Sequence, residues 1–168
     1  VMAAFDYLRQ TQAAGGVPPR LLFVAHRIEI LQQAMATFRQ LLRQPDFGEL
    51  LADGAQPASH QHLFATIASV LSRDLLQRFG ADYWHTTIID ECHHLPARSF
   101  TEFVRAVRPR ILLGLTATPE RADGASVLEF FDQRPDGSPA AELRLWDALE
   151  QQLLCPFEYY ATADEVDL

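Results

Sequence analysis

Short apolar runs alternate with helical segments along this chain, and this alternation constrains the fold more than any other feature. We interpret four apolar runs as strands: Arg20–Ala25, His62–Ile67, His85–Asp90 and Arg110–Leu115. Segments with apolar residues at helical spacing follow the first three: about Glu29–Leu42, Ala68–Phe79, and a helix that starts with a capping box at Ser99 and Glu102. Strands that alternate with helices predict an α/β fold with a mostly parallel sheet, covered by helices on both faces.

The remaining segments are predicted around this repeating unit. Residues 1–8 have apolar positions at helical spacing, and Asp46–Ser59 is a polar connection. Ala141–Leu154 is predicted as a helix and Pro156–Ala161 as a last strand. With 168 residues, the chain is close to the usual size of one domain.

Composition and cysteine usage exclude several classes of protein. The longest unbroken apolar runs, Val1–Phe5 and Leu21–Ala25, have five residues, whereas a membrane span needs about 20. The two cysteines, Cys92 and Cys155, are far apart, and no signal-peptide pattern opens the chain. We therefore expect no membrane span, no disulfide framework and a cytoplasmic location. The net charge of −8 argues against nucleic-acid binding driven by overall charge, but it leaves room for a local basic face.

All fourteen basic residues are arginine, and the sequence contains no lysine. The phosphate-binding loop G-x-x-x-x-G-K-S/T uses a lysine to reach the β- and γ-phosphates of a nucleotide. These residues therefore contain no such loop. The first residue is Val1 rather than methionine, from which we expect a piece of a longer protein.

Polar and ionisable residues gather where the predicted strands end. In open α/β sheets, ligands bind outside the carboxyl ends of the strands. At these positions the sequence has His26-Arg27, Thr66, Asp90-Glu91-Cys92-His93 and Thr116-Ala117-Thr118. A sheet that is only structural has no need of such residues, so we place the candidate site at this edge.

Asp90 and Glu91, directly after an apolar strand, suit a nucleotide-hydrolysing site. The first carboxylate can hold Mg²⁺ through its waters, and the second can orient or deprotonate an attacking water. A structural alternative fits the same pair equally well: Asp90 caps the following turn and Glu91 is solvated. Arg27 either contacts a phosphodiester through its guanidinium or is a solvated residue at a helix start. Thr116 and Thr118 either relay contacts from a phosphate site to another surface or form a Thr-Pro turn.

A transition-metal site or a thiol nucleophile is a weaker interpretation of the same segment. Residues 90–94 are all of types that can bind a metal. Structural zinc sites, however, use paired spacings, and five adjacent ligands cannot all face one ion. Cys92 has no cysteine nearby in the sequence and no convincing third residue to orient a base, so thiol catalysis is disfavoured as well.

Taken in this order, the segments resemble those of superfamily-2 nucleic-acid helicases and translocases. Residues 24–27 resemble motif Ia, and residues 64–69 lie where that family has motif Ib. Asp90-Glu91-Cys92-His93 matches the DExH form of motif II, and Thr116-Ala117-Thr118 matches motif III. The longer strings IIDECHH and LLGLTATPERADG are most similar to restriction-enzyme helicase subunits and related bacterial DEAD/DEAH-type helicases. The resemblance covers nearly the whole chain.

The resemblance implies the first RecA-like motor domain of an ATP-dependent helicase or translocase, with ATP and Mg²⁺ as cofactors and nucleic acid, DNA in preference, as partner. By that match, Asp90 would coordinate Mg²⁺ and Glu91 would activate the hydrolytic water. The residues that couple the nucleotide state to movement would be His93, Thr116 and Thr118. The residues that contact the nucleic-acid backbone would be His26, Arg27 and Thr66.

The sequence departs from that family because it lacks the P-loop strand, its lysine and the second motor domain. The resemblance therefore implies part of a first motor domain, of which about residues 141–168 lead toward the second. We expect this chain alone to be inactive, and the predicted strand Arg110–Leu115 to self-associate through the edge that the P-loop strand would cover. The alternative is a degenerate, non-enzymatic motor domain that serves as a scaffold or interaction module.

Overall fold

The computed structural model describes residues 7, 9–10, 13, 19–52, 54–94, 97–117 and 126–156. The strands in these ranges are β1 (Leu21–Ala25), β2 (Glu49–Leu51), β3 (His62–Thr66), β4 (Thr86–Ile89) and β5 (Ile111–Gly114). The α-helices are α1 (Ile28–Leu42), α2 (Ile67–Ser72), α3 (Leu75–Phe79), α4 (Ala97–Ala106) and α5 (Leu145–Glu150). Short 3₁₀ helices cover Cys92–His94 and Val127–Phe130.

The five strands form one sheet in the order β2-β3-β1-β4-β5, and every neighbouring pair is parallel. β1 lies at the centre, where Leu22 is aligned with Leu63 of β3 and Thr87 of β4. Because all strands run in one direction, their carboxyl ends meet at one edge of the sheet and their amino ends at the opposite edge. The predicted α/β class with a parallel sheet is confirmed.

Side chains of β1 alternate between two apolar clusters, one on each face of the sheet. Leu22 and Val24 belong to the cluster that includes residues of α2, α3 and α4. Leu21, Phe23 and Ala25 belong to the cluster that includes residues of α1. Every residue of β1 is buried, which explains why this strand is a continuous apolar run. Helices therefore cover both faces, as the alternation of strands and helices predicts.

Two predicted segments differ in the structure. Asp46–Ser59, predicted as a polar connection, contains β2, which pairs with β3 through contacts such as Leu50 opposite Phe64. A strand of three residues is too short to give a periodic signal, so its pairing with β3 defines it. The predicted helix Ala68–Phe79 is divided into α2 and α3, because Asp74 between them has a left-handed backbone with a φ of 49°.

Two predicted helices have other bounds than expected. The helix predicted from Ser99 begins at Ala97, so Ser99 lies in its first turn rather than before it. Glu102 instead accepts a 2.8 Å hydrogen bond from Arg98 Nε. Of the predicted helix over residues 141–154, only α5 is α-helical. The predicted last strand falls almost entirely outside the described residues, as does most of the predicted opening helix.

The chain divides into two compact units, Val1–Phe131 with the sheet and Asp132–Leu168 with α5. Within the described residues of the first unit, β5 is the last strand on its side of the sheet, and its residues are partly exposed. Self-association through this strand stays a prediction. Over the ranges given above, no helix combines the length and the apolar character that crossing a membrane requires.

Candidate active site

Asp90 and Glu91 follow β4 directly and stand at the carboxyl edge of the sheet. The Asp90 N–H donates to the Val24 carbonyl at 2.8 Å, which continues the pairing with β1 for one residue. Glu91 then adopts a left-handed backbone with a φ of 49°, and its N–H donates to Asp90 Oδ1 at 3.0 Å. A left-handed conformation costs a residue with a side chain about 1–2 kcal/mol. The chain therefore makes a strained turn at the two carboxylates that the sequence singled out.

The environment of Asp90 favours the protonated form of its carboxyl group. The side chain is half-buried, and burial raises its pKa above the ordinary aspartate value. The hydrogen bond from the Glu91 N–H and the nearby His26 act in the opposite direction, while the charge of Glu91 adds to the increase. A cation bound at this position would offset the desolvation, because it favours the ionised carboxylate.

His93 connects the Asp90–Glu91 segment after β4 to the segment after β5. Its Nδ1 lies 2.7 Å from Thr116 Oγ1 and 3.4 Å from Glu91 Oε2. The imidazole is largely buried, with 14% of its side chain exposed, whereas the Glu91 side chain is 37% exposed. The structure thus brings together three of the predicted site residues, Glu91, His93 and Thr116. Thr118, the other predicted coupling residue, lies outside the described residues.

Backbone hydrogen bonds fix the same two segments to each other. The Leu115 N–H donates to the Ile89 carbonyl at 2.8 Å, and the Cys92 N–H donates to the Leu115 carbonyl at 3.2 Å. Cys92 itself is buried in the apolar cluster with α2 and α4. In the part of the chain that the structure describes, no group of three or more metal-binding side chains is close enough to hold an ion.

The residues predicted to contact nucleic acid lie at the ends of β1 and β3. Arg27 is exposed and is the N-cap residue of α1, without a capping hydrogen bond from its side chain. Thr66 is the N-cap residue of α2. Its Oγ1 accepts from the Ser69 N–H at 3.2 Å and donates to Ser69 Oγ at 2.9 Å. Thr66 therefore has a structural role that the sequence analysis missed, although Ser or Thr before a helix is its usual signal.

A cavity of about 300 Å³ lies beside Asp90, between the sheet and α1. Apolar residues, Leu115 among them, form most of its described lining, and the polar residues Gln33 and Thr37 come from α1. Among the described residues of the lining, Asp90 is the one ionisable side chain. The sequence analysis did not single out Gln33 and Thr37. Their spacing of four residues, on the helix face that also carries Ile30, is the signal that could have found them.

A comparison with protein families matches residues 1–121 to the type III restriction enzyme res subunit. The matched region contains β1 to β5 and the residues around Asp90 and Thr116. The chain belongs to this family. A comparison with individually curated proteins found no significant match.

Membership of the res-subunit family identifies residues 1–121 as a helicase-like, ATP-dependent motor domain. The predicted resemblance to superfamily-2 helicases is confirmed by this match, and the parallel α/β sheet agrees with a RecA-like domain. ATP, commonly with Mg²⁺, and nucleic acid are ligands of the family as a whole.

Proposed function

We propose that this chain is part of an ATP-dependent nucleic-acid motor in which the carboxyl edge of the sheet binds and hydrolyses Mg-ATP. One observation carries the proposal: His93 Nδ1 lies within 3.4 Å of both Glu91 Oε2 and Thr116 Oγ1. A change at the bound nucleotide that moves Glu91 can therefore be transmitted through the His93 imidazole to Thr116, two residues after the end of β5. A Thr-Pro turn and a solvated glutamate, the structural alternatives, do not require this contact.

The two carboxylates are suited to different tasks. Asp90 accepts the Glu91 N–H with one oxygen and can offer the other to a water of hydrated Mg²⁺, which prefers carboxylate and water ligands. The residues present therefore fit a magnesium site with a single protein carboxylate. The Glu91 side chain is 37% exposed, and we propose that it orients the attacking water. When bound, Mg-ATP would supply the phosphoryl group and the charge that neutralises its transfer.

The phosphate-binding group must come from outside these 168 residues, because they contain no lysine. Among the described strands β5 has a neighbour on one side, and its other side and the cavity lined by Asp90, Leu115 and α1 would give such a segment a place beside the carboxylates. For this reason we expect the chain by itself to have no measurable ATPase activity. His26, Arg27 and Thr66 are proposed to contact the backbone of the nucleic acid, with DNA as the preferred polymer.

The test is Glu91→Gln in the longest form of the protein that binds ATP. We expect turnover to fall at least about 100-fold, because the water-orienting carboxylate is lost, while ATP affinity stays within about twofold. Glu102→Gln on α4, an exposed glutamate paired with Arg98, is the matched control and should leave turnover unchanged. A Glu91→Gln protein that hydrolyses ATP near the wild-type rate would contradict the proposal.

The absence of lysine also favours a second candidate, a motor domain kept as a scaffold without catalysis. The two candidates differ in the gene upstream of the Val1 codon. A G-x-G-K-T or similar sequence there supports the motor, and an unrelated sequence supports the scaffold.

A further inference from the structure

The amino edge of the sheet carries a row of side chains that the proposed motor site does not use. Backbone hydrogen bonds link the residues that precede β3, β1, β4 and β5, which are neighbours in that order across this edge. Leu21 N–H donates to the Gln61 carbonyl at 3.0 Å, Thr86 N–H to the Arg20 carbonyl at 3.1 Å, and Ile111 N–H to the His85 carbonyl at 3.1 Å. Arg20, His85 and Arg110 consequently stand side by side, about 5 Å from one strand to the next.

Five exposed arginines lie on or around this row, and we name them the arginine edge: Arg20, Arg78, Arg105, Arg108 and Arg110. None of the five has an ion pair with a carboxylate in the described ranges, whereas Arg98 and Arg144 are paired with Glu102 and Glu142. The arginines come from three separate stretches of sequence, around residues 20, 78 and 105–110, that the fold brings together. They form a concentration of positive charge on a chain whose net charge is −8.

Aromatic rings and backbone carbonyls hold part of the arginine edge in place. Arg20 Cζ lies 4.2 Å from the centre of the Tyr83 ring, and its Nη1 donates to the Tyr83 carbonyl at 3.3 Å. Arg78 Cζ lies 5.4 Å from the Phe79 ring, which contacts Tyr83 at 4.9 Å between ring centres. A guanidinium stacked on a ring keeps its N–H groups at the rim, where those not bonded within the protein can donate to phosphate oxygens.

The charges around this edge leave it positive. Two histidines beside it have pKa values below the ordinary value, first because of burial and then because of neighbouring arginines, Arg110 for His85 and Arg78 for His60. The carboxylates near this edge, among the described residues, include Glu49, which raises the pKa of His60 and accepts the Ser59 N–H, and the exposed Asp82 in the loop before β4.

We propose that the arginine edge binds the phosphodiester backbone of a nucleic acid, as a second contact on the opposite side of the sheet from Arg27. Several neighbouring guanidiniums, two of them held beside aromatic rings, suit a chain of phosphates better than the scattered carboxylates of a folded protein surface. Such contacts position the polymer without reading its sequence. The proposal does not depend on ATP hydrolysis at the carboxyl edge, so either can fail without the other.

The test compares two double variants of the 168-residue chain that lose the same charge. Arg78→Gln/Arg110→Gln removes two members of the arginine edge, and Arg43→Gln/Arg98→Gln removes two exposed arginines elsewhere in the same unit. Binding is measured by fluorescence anisotropy over a series of salt concentrations, with a labelled single-stranded DNA of about 20 nucleotides and a labelled DNA duplex of about 20 base pairs. We expect the first variant to bind about tenfold more weakly at low salt, with a salt slope reduced by about 1.5–2. The control should bind as the wild type does.

A third variant guards against loss of folding as an explanation. Asp82→Asn removes a carboxylate next to the arginine edge and should bind the same strands more tightly. Equal binding by the two double variants would overturn the proposal. It would also be overturned if Arg78→Gln/Arg110→Gln lost binding to polyglutamate but not to nucleic acid, because the edge would then be a site for an acidic protein.

Discussion

The carboxyl and amino edges of the sheet are formed by the two ends of the same strands, and they carry side chains of different chemistry. At the carboxyl edge, Asp90, Glu91, His93 and Thr116 are brought together by a strained turn, by the hydrogen bond from the Glu91 N–H to Asp90, and by the contacts of His93 with Glu91 and Thr116. At the amino edge, five exposed arginines stand without carboxylate partners in the described ranges, and an aromatic ring lies beside two of them, Arg20 and Arg78. We propose nucleotide chemistry at the carboxyl edge and nucleic-acid binding at the amino edge. Their difference suggests that one sheet separates chemistry from anchoring.

The largest effect is expected from removing the His93 imidazole at the carboxyl edge, which tests whether the two edges have separate roles. We expect His93→Ala to lower nucleic-acid-stimulated ATP hydrolysis about 10–100-fold in the longest active form of the protein, because Glu91 and Thr116 lose their shared partner. ATP affinity should change little, and a steady-state assay with a nucleotide-binding measurement separates the two. His85→Ala, at the amino edge, is the control and should hydrolyse ATP normally. Equal losses in the two variants would mean that the edges do not differ in this way.

A second test concerns the packing behind the carboxyl edge. A Cβ on Gly114 would meet the ring of Phe131 at three of its carbon atoms, so Gly114→Ala must push that ring aside. We expect the free energy of unfolding to fall by about 1–3 kcal/mol, measured by urea denaturation. Adding Phe131→Ala should make the Gly114→Ala change far less costly. If the costs of the two changes simply add, Phe131 does not restrict position 114.

The smallest effect is expected from Asp90→Asn. Because burial raises the pKa of Asp90 in the folded state, its ionised form opposes folding at neutral pH. This penalty is absent below the ordinary aspartate pKa, where the carboxyl group is protonated in both states, and it grows as the pH rises through the folded-state pKa. Asp90→Asn should therefore raise the melting temperature by a few degrees at neutral pH and leave it unchanged below the ordinary aspartate pKa. Thermal unfolding followed by circular dichroism measures both. Asp82→Asn is the exposed control, and an equal gain there would point to net charge instead.

The sequence predicted the parts of the fold that have a local cause. The buried run of β1 and the period of α1 appear in the structure almost as expected, because each pattern reflects burial of its own residues. β2 was missed because Glu49–Leu51 is a strand only through its pairing with β3. The division at Asp74 was missed because a single left-handed residue leaves no periodic trace.

The candidate site was predictable as a set of residues but not as a geometry. Asp90, Glu91 and Thr116 follow strands, and a parallel sheet must bring such residues to one edge. No pattern in the sequence predicts that one nitrogen of His93 reaches both Glu91 and Thr116. The arginine edge was invisible for a similar reason, since Arg20 and Arg110 are 90 positions apart and meet only across β4.

The position of β5 in the sheet also affects how often the candidate site opens. β1 has a hydrogen-bonded neighbour on each side, whereas β5 within the described residues has only β4. Amide hydrogens of β5 should therefore exchange with solvent sooner than those of β1, through local opening that leaves the rest of the sheet intact. Each such opening separates Thr116 from His93 while the core stays folded. Covering β5 would slow this opening, so a segment that pairs with the strand would also keep the residues of the candidate site assembled.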